Sequence, residues 1–173
     1  PMLDRLASII QPSIDFSTLP PILRVLLLTD GTVTHSLAAY FAEDIQVNCL
    51  SQVQVGDEVI EREVMLVGEL SGTEYAHAHS TIHTHLLDHE MRRRLDSGQA
   101  GIGELLNANN RETFREITRI HYCHDLPGRP NPFKASTPGS QVIARDYRIH
   151  TQQRPLILIT EEFPVASYLG LGE

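Results

Sequence analysis

Residues 154–168 read Arg-Pro-Leu-Ile-Leu-Ile-Thr-Glu-Glu-Phe-Pro-Val-Ala-Ser-Tyr, an apolar strand with carboxylates set into its far end. Pro155 opens the run and Pro164 closes it, because a proline inside a central strand removes a ladder hydrogen bond. The unbroken series Leu156, Ile157, Leu158, Ile159 lacks the alternation of a strand with one wet face, so both faces are expected to be covered. Side chains alternate sides along a strand. Glu161 therefore continues the row Ile157, Ile159, Phe163, and Glu162 continues the row Leu156, Leu158, Thr160. One of the two glutamates is expected to face inward. An ionised carboxylate out of water is costly by several kcal/mol unless something meets it, so a basic side chain or a ligand must do so.

Arg62 is the candidate. In a strand spanning roughly 58–69 it shares a face with Ile60, Val64 and Leu66, while Glu61, Glu63 and Met65 take the other side. An arginine on the most apolar row is unusual. It suits either Glu161 or an anionic ligand held beside it; the plainer reading is an edge-strand arginine reaching to solvent along its methylenes.

Outward from this pair the chain reads as α+β. Strand patterns at 45–55, 58–69 and 73–83 are punctuated by Gly56-Asp57 and Ser71-Gly72, which implies an antiparallel meander. Another runs from Thr113 to Tyr122, and Gln141–His150 with Leu156–Phe163 closes the chain as a hairpin. That makes about six strands with four or five helices. The stretch up to Ser17 reads as an irregular, partly helical arm limited by Pro12. Ser17 or Thr18 is placed to cap a helix whose first turn holds Pro20 and Pro21 and which ends near Asp30-Gly31. A second helix, capped by Thr32 or Thr34, runs through Leu37 and Phe41 to about Glu43. Between them, residues 30–34 offer free backbone N–H groups at a helix start, a site for a carboxylate; a plain helix–helix turn explains the same letters. Leu86–Leu95 reads as a helix with a solvated basic run, Arg92 to Arg94. The glycine-rich connector 98–103 leads into a short helix, Glu104–Ala108, and the Pro- and Gly-rich residues 125–139 read as a surface excursion or lid.

Composition narrows the function classes. The 173 residues suffice for a single domain, 1–173, with its own core and a small-molecule pocket. A net charge of −8, from 14 basic and 22 acidic residues, argues against a nucleic-acid surface. Cys49 and Cys123 form no CxxC motif, so two free thiols in a reducing cytosol are expected. No apolar run reaches membrane-spanning length, so the expectation is a soluble, cytoplasmic protein without membrane contact. His77, His79, His83 and His85 fall on one strand face, with Ala76, Ala78, Ser80 and Ile82 on the other. Without an HExxH or other closed ligand set they read as a solvated face rather than a metal site, and His121 and His124 as structural or exposed. No nucleophile elbow is present.

Taken in order, these stretches resemble the chorismate lyase (chorismate pyruvate-lyase, 4-hydroxybenzoate synthase) family from about Leu19 to Tyr168. The residues carrying the resemblance are the closing strand 154–168, Glu61-Arg62-Glu63-Val64-Met65-Leu66, the helix and turn Val25–Gly31, and Ala100-Gly101-Ile102-Gly103. His79 stands where an arginine is expected, tryptophan is lacking, and residues 125–139 align poorly. The resemblance implies a single six-stranded antiparallel sheet flanked by helices, an enclosed pocket and no cofactor or metal. It implies a carbon–oxygen lyase converting chorismate to 4-hydroxybenzoate and pyruvate, for quinone or other aromatic-acid biosynthesis. It assigns Arg62 to the ring carboxylate, Glu161 to the hydroxyl end, and backbone groups of Thr32 or Val33 and of Ile102 to the rest of the site. The same fold also serves as a non-catalytic, effector-sensing domain for small aromatic acids, which is the alternative reading.

Overall fold

The computed structural model describes residues 6–97, 102–107, 113–123, 130–135 and 140–170. Its strands are β1 (Ile45–Gln54), β2 (Val59–Gly68), β3 (Glu74–His83), β4 (Thr113–Tyr122), β5 (Val142–Thr151) and β6 (Arg154–Pro164). All neighbours pair antiparallel in one sheet, in the order β1-β2-β3-β6-β5-β4. Two meanders therefore meet along β3 and β6, which puts Arg154–Pro164 in the middle of the sheet.

Four helices are described: α1 (Pro21–Leu28), α2 (Val33–Phe41), α3 (His89–Asp96) and α4 (Ile102–Asn107). Helix α1 starts on Pro20 and Pro21 without a side-chain cap. The expected cap from Ser17 or Thr18 is not made, because both lie in a 3-10 turn that Asp15 caps instead. It also stops at Leu28, short of Gly31, with Thr29 as the extended C-cap residue. Thr32 does precede α2 as its cap residue, though its side chain makes no capping bond. Helix α3 begins at His89 rather than Leu86, since Thr84–Leu86 forms a 3-10 turn and Asp88 accepts from the Met91 N–H. Residues 98–101, 124–129 and 136–139, which hold most of the expected glycine connector and most of the expected lid, lie outside the described residues.

The helices pack on one face of the sheet in two groups. Leu23, Leu26 and Leu27 of α1 and Leu37 of α2, all fully buried, meet Leu66, Ile120, Ile143 and Phe163. Each such leucine contributes about 1.5–3 kcal/mol through removal from water. A second group sets Met91 and Leu95 of α3 and Leu106 of α4 against Ile60, Ile82, Ile149 and Ile157. The inward face is thus covered at both ends, and the gap between the two groups is where a pocket opens. A bulge between Leu66 and Val67 accompanies the placement of Tyr75 against Phe41, rings stacked with centroids 4.0 Å apart.

Candidate active site

Strand alternation and register decide which side chains reach the gap. Glu161 lies opposite Ala78 on one side and Arg145 on the other, so these three point to the helix-covered face together. The neighbouring transverse row contains Arg62, Ser80, Ile159 and Tyr147. Of the two glutamates, Glu161 is thus the one that faces the pocket, a choice the alternation leaves open. Glu162 is also buried, but on the opposite face, where His77 Nδ1 lies 3.1 Å from its carboxylate.

The cation that meets Glu161 is Arg145, not Arg62. Arg145 Nε donates to Glu161 Oε2 at 2.8 Å, and the Tyr147 hydroxyl donates to Oε1 at 2.8 Å. Burial works against the charge on Arg145, but Glu161 and Tyr147 beside it hold its pKa above the ordinary arginine value. Burial, and then the Glu161 charge, raise the Tyr147 pKa well above the usual phenol value, so it stays a neutral donor. Arg145 and Tyr147 were legible by the argument that found Arg62: Ile143, Arg145, Tyr147 and Ile149 form one apolar row carrying a cation. What the sequence lacks is the pairing that puts this row beside Glu161.

The pocket encloses about 70 Å³, or about 630 Å³ when its open mouth is counted. Val64, Ala78, Ser80, Ile159 and Glu161 form its floor. Residues 31–34, at the start of α2, and Ile102 and Gly103, at the start of α4, form its rim. The sequence-derived positions Thr32, Val33, Ile102 and Glu161 therefore converge on one cavity. Arg62 is 1% exposed and lies beside the floor residues Val64 and Ser80 rather than on the lining itself. Arg115, which the sequence reading did not single out, does line the pocket and donates to the Asp30 carbonyl. Gly103 packs so close to α2 that an added Cβ would lie 2.8 Å from Thr32 Cγ2. An alanine there requires the Thr32 side chain to move.

Of the histidines expected on a single strand face, His77, His79 and His83 lie on β3, on the side of the sheet away from the pocket, and His85 lies in the 3-10 turn that follows. His77 lies between Glu162 and Glu63, His79 lies 3.9 Å from Glu61, and His121 lies 3.2 Å from Asp146. Carboxylates thus take these rings one by one. Among the described residues no group of three or more His, Cys, Asp or Glu is arranged to hold a metal.

The family model described as "Chorismate pyruvate-lyase Rv2949c-like" matches residues 27–169. The chain is 28% identical over 155 residues to a chorismate pyruvate-lyase of Mycobacterium leprae, covering 82% of this chain and 73% of that one. It is 27% identical over 158 residues to the chorismate pyruvate-lyase of Mycobacterium tuberculosis strain H37Rv, covering 82% and 78%. A protein named putative lyase MJ0807 from Methanocaldococcus jannaschii is 31% identical over 152 residues, covering 84% of this chain and 79% of its own length. Among solved structures, PhnF from Mycobacterium smegmatis aligns with a TM-score of 0.55 at 12% identity, over 79% of this chain and 65% of PhnF. Its effector domain alone gives 0.54 at 11% identity, over 79% and 90%. At such identities these structures show a shared fold. No described helix is long and apolar enough to cross a membrane.

Proposed function

The chain belongs to the Rv2949c-like chorismate pyruvate-lyase family, and from that premise we propose that it converts chorismate to 4-hydroxybenzoate and pyruvate. The observation that carries this reading is the inward Glu161, fixed by Arg145 and Tyr147 at the floor of a pocket whose rim is formed by residues at two helix starts. Such a site offers a rigid acceptor for a hydroxyl and N–H groups for an anion, in surroundings otherwise apolar.

The proposed reaction is redox-neutral and balances without a co-reactant. The ether bond from ring C3 to the enolpyruvyl oxygen breaks, the C4 hydrogen leaves, and the ring becomes aromatic; the departing enol gains a proton at its methylene carbon and becomes pyruvate. Aromatisation drives the step, so the protein has mainly to position and polarise the substrate. In this reading Arg62 takes the ring carboxylate, since a guanidinium matches a planar carboxylate in a way lysine does not. Glu161 accepts from the 4-hydroxyl. The backbone of Thr32 or Val33 and of Ile102 closes over the ring. The C4 hydrogen passes either to Glu161 or directly to the enolpyruvyl methylene.

The assay is direct: purified protein with chorismate, with 4-hydroxybenzoate and pyruvate followed as products in equal amounts. The shared fold with the PhnF effector domain supports a second reading, aromatic-acid binding without turnover. Tight binding of 4-hydroxybenzoate with no pyruvate released would establish that alternative in place of the lyase.

A further inference from the structure

Chorismate carries two carboxylates, and the reading above gives a side-chain cation to only one. The inward face supplies a second. Arg115 lies opposite Ile149 in the register of β4 with β5, and both side chains line the pocket. Unlike Arg145, whose charge is matched by Glu161, Arg115 has no ion-pair carboxylate among the described residues. One of its N–H groups goes to the Asp30 carbonyl, which holds the head at the rim, and a guanidinium has five donors. A tethered, unmatched guanidinium on a pocket wall is a carboxylate site in geometry and in charge.

We propose that Arg115 binds the second carboxylate of a dianionic substrate, so that the pocket favours dicarboxylates over the monocarboxylate product. The proposal rests on reading this cavity as the chorismate site and adds to it a basis for product release. Elimination removes the group that carries the second carboxylate, so the Arg115 contact is lost at the moment the product forms.

The test compares the full chain and its Arg115→Gln and Arg115→Lys variants in calorimetric binding of 4-hydroxybenzoate and of the unreactive dicarboxylate 3-(carboxymethoxy)-4-hydroxybenzoate. Wild type is expected to prefer the dicarboxylate by about tenfold to a hundredfold, the range for a charge-assisted hydrogen bond. Arg115→Gln should abolish that preference while leaving 4-hydroxybenzoate affinity within about twofold, and Arg115→Lys should retain part of it. No preference in wild type, its survival in Arg115→Gln, or equal weakening of both ligands overturns the proposal, the last by showing that Arg115 acts only through the Asp30 loop. Chorismate turnover is scored separately. A chain that shows the Arg115-dependent preference without turnover retains this inference and loses the lyase reading; turnover with a preference indifferent to Arg115 does the reverse.

Discussion

Arg145 bridges Glu161 and the end of helix α1: its Nε donates to Glu161 Oε2 at 2.8 Å, while its Nη1 donates to the Thr29 carbonyl at 2.6 Å. One guanidinium thus fixes the orientation of the pocket carboxylate and anchors the loop that forms the pocket rim. Arg145→Met would leave Glu161 buried without its cation, and removing one partner of a buried pair costs about 3–5 kcal/mol. The double variant Arg145→Met/Glu161→Gln should be more stable than Arg145→Met alone. Urea unfolding midpoints of the variants check this, and strictly additive losses would show that the two groups are not coupled.

Both oxygens of Glu161 already accept hydrogen bonds from the protein, which suits an anchor for a substrate hydroxyl. A positioned general base contributes about 100- to 10,000-fold to rate. Glu161→Gln keeps the shape and one acceptor, so the expected loss in kcat is below that range, with KM rising. A loss of kcat inside the range, at unchanged KM, assigns proton removal to Glu161 instead.

Gly103 is the rim residue whose added Cβ would lie 2.8 Å from Thr32 Cγ2. Gly103→Ala must displace either Thr32 or the start of α4. The expected outcome is an affinity for 4-hydroxybenzoate lowered by about tenfold, since a rim displaced by a fraction of an ångström loses backbone hydrogen bonds to the ligand. Unaltered affinity would place the ligand away from this rim.

Acid should weaken the fold through Glu43. The Tyr75 hydroxyl at 2.6 Å, the backbone N–H groups of Ser71 and Leu70 and the Ser71 hydroxyl all donate to its carboxylate. They hold its pKa at about 2, below its ordinary 4.5. A folded-state pKa depressed in this way adds stability above pH 4.5, and that stability is lost as pH falls from 4.5 through about 2. Glu43→Gln removes the titrating group. Its unfolding midpoint should therefore fall less steeply than that of wild type across this window.

The hairpin joining β5 and β6 turns on Gln152 and Gln153, with φ of 48° and 63°. Both occupy the left-handed region, as a two-residue turn of this type requires, and side chains other than Asn, Asp and Gly fit it poorly. Gln153→Gly should stabilise the protein by about 1 kcal/mol, offset in part by the freedom glycine adds to the unfolded chain. Thermal unfolding reads the change directly.

Much of this architecture is visible in the letters because strand periodicity is a local property. The alternation puts Glu161 and Glu162 on opposite faces and Arg62 on the apolar row of its strand without knowledge of neighbours, and the Gly56-Asp57 and Ser71-Gly72 breaks give the first meander. Helix boundaries were less legible. Thr18 and Gly31 carry cap-like identities, yet Pro20 and Pro21 and the extended Thr29 set the ends of α1, since several nearby residues compete to cap one turn. The helix α3 start shows the same competition, with Asp88 winning two residues beyond Leu86.

Periodicity in the letters was enough to place a carboxylate inward from an apolar strand and an arginine on the apolar row of a second one, within an antiparallel α+β sheet. Tertiary structure alone decided which cation the carboxylate meets. That choice depends on strand order and register: β6 lies between β3 and β5, which sets Arg145 directly opposite Glu161 and leaves Arg62 in the next row, beyond β3. A charge pair forms where backbone hydrogen bonding brings two strands side by side, and the pairing of β5 with β6, like that of β3 with β6, is a property of the whole sheet rather than of either strand.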